Sequence, residues 1–333
     1  MHIGLRDRLL PASQLRSLEE LTGELDLRHG DAAAKRSAFW TMLSLSAVIA
    51  TAGVLSDSTA TVIGAMIIAP LSTPIMAVAL GIVTQRRNGA LLTALGGAAL
   101  VMLVGYTFTL VLPHSYNLLA NSQISGRTSP GLLDLLAAMA TGLAGAVALS
   151  RRDVAAVLPG VAIAISLVPP LAVAGVCLGQ GDVGLALGAL LLFLSNLVAL
   201  VLCGTLVFAG LGYSADGGAR RGAVSRRSFV GLAALVMVIA LPLALNTAFQ
   251  YVLNIWTARV QETSEEWLAG TPQAVVTDVE SVSTEIHIDV RAPGALPSVS
   301  ALMDRLSDEL PDGIQIVVNH LEGERIEAGA VGD

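Results

Sequence analysis

The sequence predicts a polytopic α-helical membrane protein of about seven transmembrane helices with an inverted 3+3 repeat, plus a small C-terminal α+β domain. Three observations predict it. First, the 333-residue chain is 54% hydrophobic and only 14% charged, with a mean hydropathy of +0.71. A soluble domain of this length cannot bury that much apolar surface. Second, the basic residues ahead of the last span fall almost entirely into loops that share one side when seven spans are counted. Third, the apolar stretch Val62–Leu80 recurs 95 residues on as Val157–Gly175. Between Ala60 and Leu95 that offset gives 13 identities in 36 positions, among them Pro74/Pro169, Gln85/Gln180 and Gly89/Gly184. Those residues are not generic lipid-facing filler.

Residues 1–36 form a cytoplasmic N-terminal segment that is polar and charged, with no apolar core before a cleavage site, so no signal peptide is read. Leu5, Leu9, Leu15, Leu18, Leu21 and Leu25 give it an amphipathic helix. That helix lies along the inner membrane surface or packs on the cytoplasmic loops; the leucine spacing fits both. The first membrane repeat, 37–112, holds spans at about 37–55, 59–83 and 89–112. An outer loop, 113–130, leads to the second repeat, 131–212, with spans at 131–149, 154–178 and 184–211. A basic loop, 213–227, precedes a seventh span at 228–250. Each segment is near the ~20 residues a helix needs to cross the hydrocarbon.

Lys and Arg mark the cytoplasmic side. Arg86/Arg87, Arg151/Arg152, Arg220/Arg221 and Arg226/Arg227 then lie inside with the N-terminus, and the C-terminal domain lies outside. Among basic residues before the last span only Arg127 falls on the other face. A three-span unit repeated in tandem enters the membrane upside down the second time, which makes the repeat inverted.

Beyond the spans the pattern changes. Fifteen of the 26 acids lie after Trp256, against four arginines, so the net charge of −7 describes this domain and not the membrane region. In 256–327 a helix over Thr257–Ala269 precedes a strand over Ala274–Val282. Period-two alternation predicts further strands over Thr284–Arg291 and Gly313–Asn319. Between them Pro297–Leu310 reads as a helix capped by Ser298 and stopped by Pro311-Asp312-Gly313. The order αββαβ makes a small extracytoplasmic sandwich, with 328–333 as a tail.

Polar residues at mid-depth are few and neutral. Ser72 and Thr73 sit beside Pro70 and Pro74, Ser166 beside Pro169 and Pro170, and Ser195 and Asn196 lie in the sixth span. Proline removes an amide donor and clashes with the preceding turn, so a helix breaks or kinks there. In lipid the freed groups need protein or water as partners. Paired interrupted segments in matching halves point to a midplane transport site. Alternatively the prolines are only kinks and the hydroxyls bond their own helix backbones. Asp57-Ser58-Thr59, in the turn between spans 1 and 2, reads either as capping chemistry for span 2 or as an ion-binding or gating element.

The runs Asp57–Ile75, Leu158–Gly175 and Leu191-Leu-Phe-Leu-Ser-Asn-Leu-Val198 resemble the signature of a prokaryotic family of hydrophobic membrane proteins, domain of unknown function number 389. The resemblance covers roughly residues 37–212 and implies a multi-pass protein of the prokaryotic cell membrane. Many family members carry a soluble domain ahead of the membrane region; here the folded domain follows the spans instead.

Enzymatic chemistry is not expected. His2, His29, His114, His287 and His320 stand apart from one another and from Cys177 and Cys203, and Lys35 is the one lysine. No nucleophile–base pair, metal-ligand spacing or phosphate loop is visible, so neither a cofactor nor a metal is expected. Dense small residues favour close helix packing and a homo-oligomer. The expectation is therefore a transporter or channel-like protein moving a small solute or ion between two Pro-broken helices, with no nucleic-acid partner. The alternative is a non-transporting membrane scaffold or sensor whose acidic outer domain binds a partner or mediates oligomerisation.

Overall fold

A computed structural model of the protein describes residues 12–86, 89–111, 116–154, 167–213, 226–282, 285–307, 310 and 315–322. Ser166, among the expected site residues, lies outside the described residues. The chain divides into two compact units, Met1–Asn246 and Thr247–Asp333.

In the first unit the helices are α1 (Leu18–Leu25), α2 (Ala32–Leu55), α3 (Thr59–Ile68), α4 (Ser72–Thr84) and α5 (Ala90–Phe108). They continue as α6 (Ser122–Thr128), α7 (Leu132–Ser150), α8 (Val168–Gly179), α9 (Val183–Leu211) and the start of α10 (Arg226–Leu268). Among the described residues five helices are long and apolar enough to cross a membrane: α2, α5 with its 3-10 extension to Val111, α7, α9 and, from Ala234, α10. The α3–α4 pair makes a sixth if its 47° bend is counted within one span. Of the expected fifth span, 154–178, most is described only as the twelve residues of α8, since 155–166 lie outside the described residues.

Local chemistry explains the ends. Asp31 caps α2 by accepting from the Ala34 N–H at 3.1 Å. The α3–α4 bend falls where Pro70 cannot donate to the carbonyl of Met66. Ala69 N–H to Ala65 O closes α3 at 3.2 Å, and Thr73 N–H to Pro70 O opens α4 at 3.2 Å. Helix ends keep the 95-residue step: α2 ends at Leu55 and α7 at Ser150, while α4 and α8 both run into a glutamine at the C-cap, Gln85 and Gln180.

Packing is close where glycines meet backbone. A Cβ on Gly175 of α8 would stand 2.1 Å from the Met102 carbonyl of α5, and one on Gly105 would stand 2.5 Å from the Ala172 carbonyl. The small residues seat α8 on α5. Helix α9 packs on α7, α4 and α8. One apolar core joins Leu43, Leu71, Ile75, Leu171, Leu200 and Phe208 across these helices.

The N-terminal helix packs on the ends of other helices. Ser17 and Glu20 form a reciprocal capping box at the start of α1. Leu21 and Leu25 are buried, and α1 packs against α4. Just before α1, Arg16 N–H donates to Ser150 O and Arg152 N–H to Gln14 O, both at 2.9 Å, beyond the end of α7. The Tyr213 hydroxyl, past the end of α9, donates to Arg16 O at 2.7 Å, and Arg152 pairs with Glu20. The segment thus ties the ends of α4, α7 and α9 together.

The second unit holds the rest of α10, then β1 (Val275–Val282), β2 (Glu285–Ala292), α11 (Val299–Leu306) and β3 (Gln315–Glu322). The sheet order is β1-β2-β3, with β1–β2 antiparallel and β2–β3 parallel. Alternation buries Ile286, Ile288, Val290 and Ala292 of β2 against Leu302, Leu306 and Val260. A register shift between Val276 and Asp278 lets Val276 and Val279 both pack on this core despite their odd spacing. The separately expected span 228–250 and helix 257–269 are one helix of 43 residues. Tyr251–Trp256 contains neither glycine nor proline to stop it.

Candidate functional site

Two candidate sites stand out among the described residues of the first unit. The first is the pair of starts of α4 and α8, helices that each pack on α9 and have no substantial contact with each other among the described residues. Leu71 and Leu167 occupy their N-cap positions, and neither supplies a side-chain cap. Both starts are buried: Leu71 is 1% and Leu167 3% exposed, and Pro74, Ile75, Val168, Pro169 and Pro170 are buried with them. A helix start carries N–H groups without intrahelical partners and the positive end of the helix dipole. Pro169 and Pro170 stand in the first turn of α8, where a missing N–H costs nothing, so they begin that helix and do not kink it. Pro70 lies in the break itself, with Ser72 and Thr73 partly buried in the first turn of α4.

Both half-helices pack on α9. There the Ser195 hydroxyl donates to Leu192 O of its own helix at 2.8 Å, and Asn196 is 6% exposed. The reading of hydroxyls as partners of their own backbone therefore holds for Ser195. Sequence reasoning passed over Thr205, which is 1% exposed and whose hydroxyl has no partner among the described residues. Its neighbour Gly204 is pressed onto Ala79 and Met76 of α4. A buried unpaired hydroxyl costs roughly 1–3 kcal/mol, so Thr205 marks a polar point inside this helix contact.

The second place is the α2–α3 turn. Ser58 caps α3, accepting from Thr61 N–H at 3.3 Å. Asp57 adopts the left-handed region at φ 50° and turns elsewhere. Its Oδ1 accepts from the Ser122 hydroxyl at 2.7 Å and from Gln123 N–H at 3.1 Å, so it holds the start of α6. Thr59 Oγ1 accepts from Gln123 Nε2 at 2.9 Å. Asn121 caps α6 and also donates to Val54 O at 2.8 Å and to the Tyr116 hydroxyl at 2.9 Å. Neither Asn121 nor Gln123 stood out in the sequence; the one signal nearby was Arg127, the basic residue on the wrong side.

The Ser122 hydroxyl, with the backbone amides beside it, holds the Asp57 carboxyl below its ordinary value. A depressed folded-state pKa stabilises the fold above the unfolded value and loses that contribution as pH falls through the folded one. Asp57→Asn keeps a residue that tolerates left-handed backbone and removes the charge. Its melting temperature is expected to lie below wild type at pH 7, with the gap closing as pH falls below the normal carboxylate range. A gap that does not change with pH would show that Asp57 acts by geometry alone.

The family model described as "Domain of unknown function (DUF389)" matches residues 66–202. The uncharacterized protein MJ0678 of Methanocaldococcus jannaschii is 35% identical over 176 residues, covering 52% of this chain and 54% of that protein. The chain thus spans about half the length of this curated relative. No solved structure matches. Both half-helix starts and most of the helices that frame them fall inside the matched stretch, and residues 66–202 of this chain are a DUF389 domain.

Proposed function

We propose that the protein is a transporter or channel-like protein of the prokaryotic cell membrane, passing a small solute or ion between the starts of α4 and α8. The observation that carries this reading is the pair of helices that begin without a side-chain cap inside the apolar core, at places within one residue of the repeat step. Hydrocarbon has no partners for such ends, and paired half-helices are how many secondary transporters present dipole ends and free backbone groups to cargo. The reciprocal packing supports an inverted 3+3 repeat: α4 lies on α9, the last helix of the second repeat, and α8 on α5, the last of the first. The basic loops support a cytoplasmic N-terminus.

The test is flux in proteoliposomes under imposed gradients of sodium, potassium, chloride, phosphate and protons. Flux above that of protein-free vesicles for at least one of these is expected. Folded, reconstituted protein that passes none of them while holding a soluble partner on its C-terminal domain would favour the scaffold reading and sink this one.

A further inference from the structure

Among the described residues Arg127 is a charge without a counter-charge. It is partly buried in the last turn of α6, and its Nη1 donates to Gln123 O at 2.7 Å. Its Nε is buried with no partner, and no ion pair joins it among the described residues. Burial pulls its guanidinium below the ordinary value, which means that the positive charge is penalised where it stands. Uncompensated buried charge is costly, and guanidinium groups in such places are paired.

One turn earlier on the same face, Gln123 is 5% exposed. Its Nε2 donates to Thr59 Oγ1 at 2.9 Å and to Ser122 Oγ at 3.4 Å, while its Oε1 is buried without a partner among the described residues. An amide can turn over at no cost in shape. The Thr59 hydroxyl then donates to Oε1, the long bond to Ser122 Oγ is given up, and the amide N–H groups face the other way. With Nη1 already used, Arg127 offers its Nε–Nη2 edge, a fork that matches two oxygens of one anion.

The helix that carries both groups is fixed. Asn121 and Asp57 hold its start, Ile124 is fully buried, and Thr128 O lies so close over Gly188 that a Cβ there would stand 1.8 Å away. The backbone that carries Arg127 is therefore held in place.

We propose that Arg127 and Gln123 form a binding site for an oxyanion of the phosphate type at the α6 end of the first unit. The site goes beyond the transport reading and stands without it. Its ligand is either a soluble phosphate or the phosphate of a lipid headgroup.

The experiment uses full-length protein in detergent, as wild type, Arg127→Gln, Arg127→Lys and Gln123→Glu, each checked by gel filtration. Thermal unfolding is followed in sodium phosphate against sodium chloride of equal ionic strength, and native mass spectrometry reads bound phosphatidylglycerol. For a soluble ligand, saturating phosphate raises the wild-type melting temperature by at least ~2 °C. Arg127→Gln loses that shift and Arg127→Lys needs ~10-fold more phosphate. For a headgroup, phosphate has no effect, and wild type keeps phosphatidylglycerol that Arg127→Gln sheds. In both cases Gln123→Glu supplies the counter-charge internally, abolishes ligand binding and unfolds at a higher temperature than ligand-free wild type. If Arg127→Gln fails to fold, the comparison of wild type with Arg127→Lys and Gln123→Glu decides. Absence of a phosphate shift together with equal lipid retention in all folded variants would overturn the proposal.

Discussion

Gly175→Ala is expected to unseat α8 from α5 and to lower the melting temperature of the membrane unit sharply. The added Cβ would meet the Met102 carbonyl at 2.1 Å and the Tyr106 amide nitrogen at 2.9 Å. Both are backbone atoms of α5, so relief requires α8 to move away from α5 as a body. The Cα of Gly175 is itself 3.2 Å from where a Cβ on Gly105 would sit, so the two helices have no slack to share. Overpacking a well-filled interior costs about 1–3 kcal/mol when side chains can yield, and here backbone would have to. Gly64→Ala in α3 is the control, because nothing lies within 4 Å of its added carbon. It should be neutral or gain up to ~1 kcal/mol from helix propensity. Thermal unfolding in detergent measures both. Equal melting temperatures for the two variants would mean that α8 does not rest on α5 backbone.

The largest functional effect is expected from Pro70→Ala combined with Pro74→Ala. The substitution restores two amide donors, one for the carbonyl of residue 66 and one for that of residue 70. Proline in a helix interior is disfavoured by ~3 kcal/mol relative to alanine, so removing both favours one continuous helix over the bent pair by several kcal/mol. Straightening the 47° bend would erase the buried start of α4, and flux should fall to the level of protein-free vesicles. Pro169→Ala together with Pro170→Ala should have a much smaller effect, because both, like Pro74, stand in the first turn of a helix, and Pro70 alone among the four stands in the break between two described helices. Flux that survives the first pair and fails with the second would reverse the roles assigned to the two breaks.

Hydropathy and charge placed most helices within a few residues, since span length and apolar content are properties of each segment alone. The α3–α4 break was legible for the same reason: proline acts on its own turn. Period two placed β2 and β3, but β1 carries a bulge that alternation over Val275–Val282 does not reveal. Leu21 and Leu25 read the same whether they face lipid or α4, so leucine spacing does not decide where α1 docks. Helix α6 has no signature in the sequence. Its seven residues, Ser122–Thr128, have no apolar period, and its inward face mixes Gln123 and Ile124 with Arg127 and Thr128. What holds it is an aspartate 65 residues away, a pairing that spacing cannot announce. Asp57 suggested a cap for α3 because it precedes that helix, yet Ser58 took that role and left the carboxylate for α6.

The most direct measurement is water access to the start of α4, which needs no knowledge of the cargo. In a Cys177→Ala/Cys203→Ala background, Ser72→Cys and Thr73→Cys are reconstituted in liposomes and exposed to small charged methanethiosulfonate reagents, with Ile63→Cys on α3 as the lipid-side control. The account predicts that positions 72 and 73 react readily while position 63 does not. Positions 72 and 73 as inert as position 63 would place the break in a dry interior and contradict it.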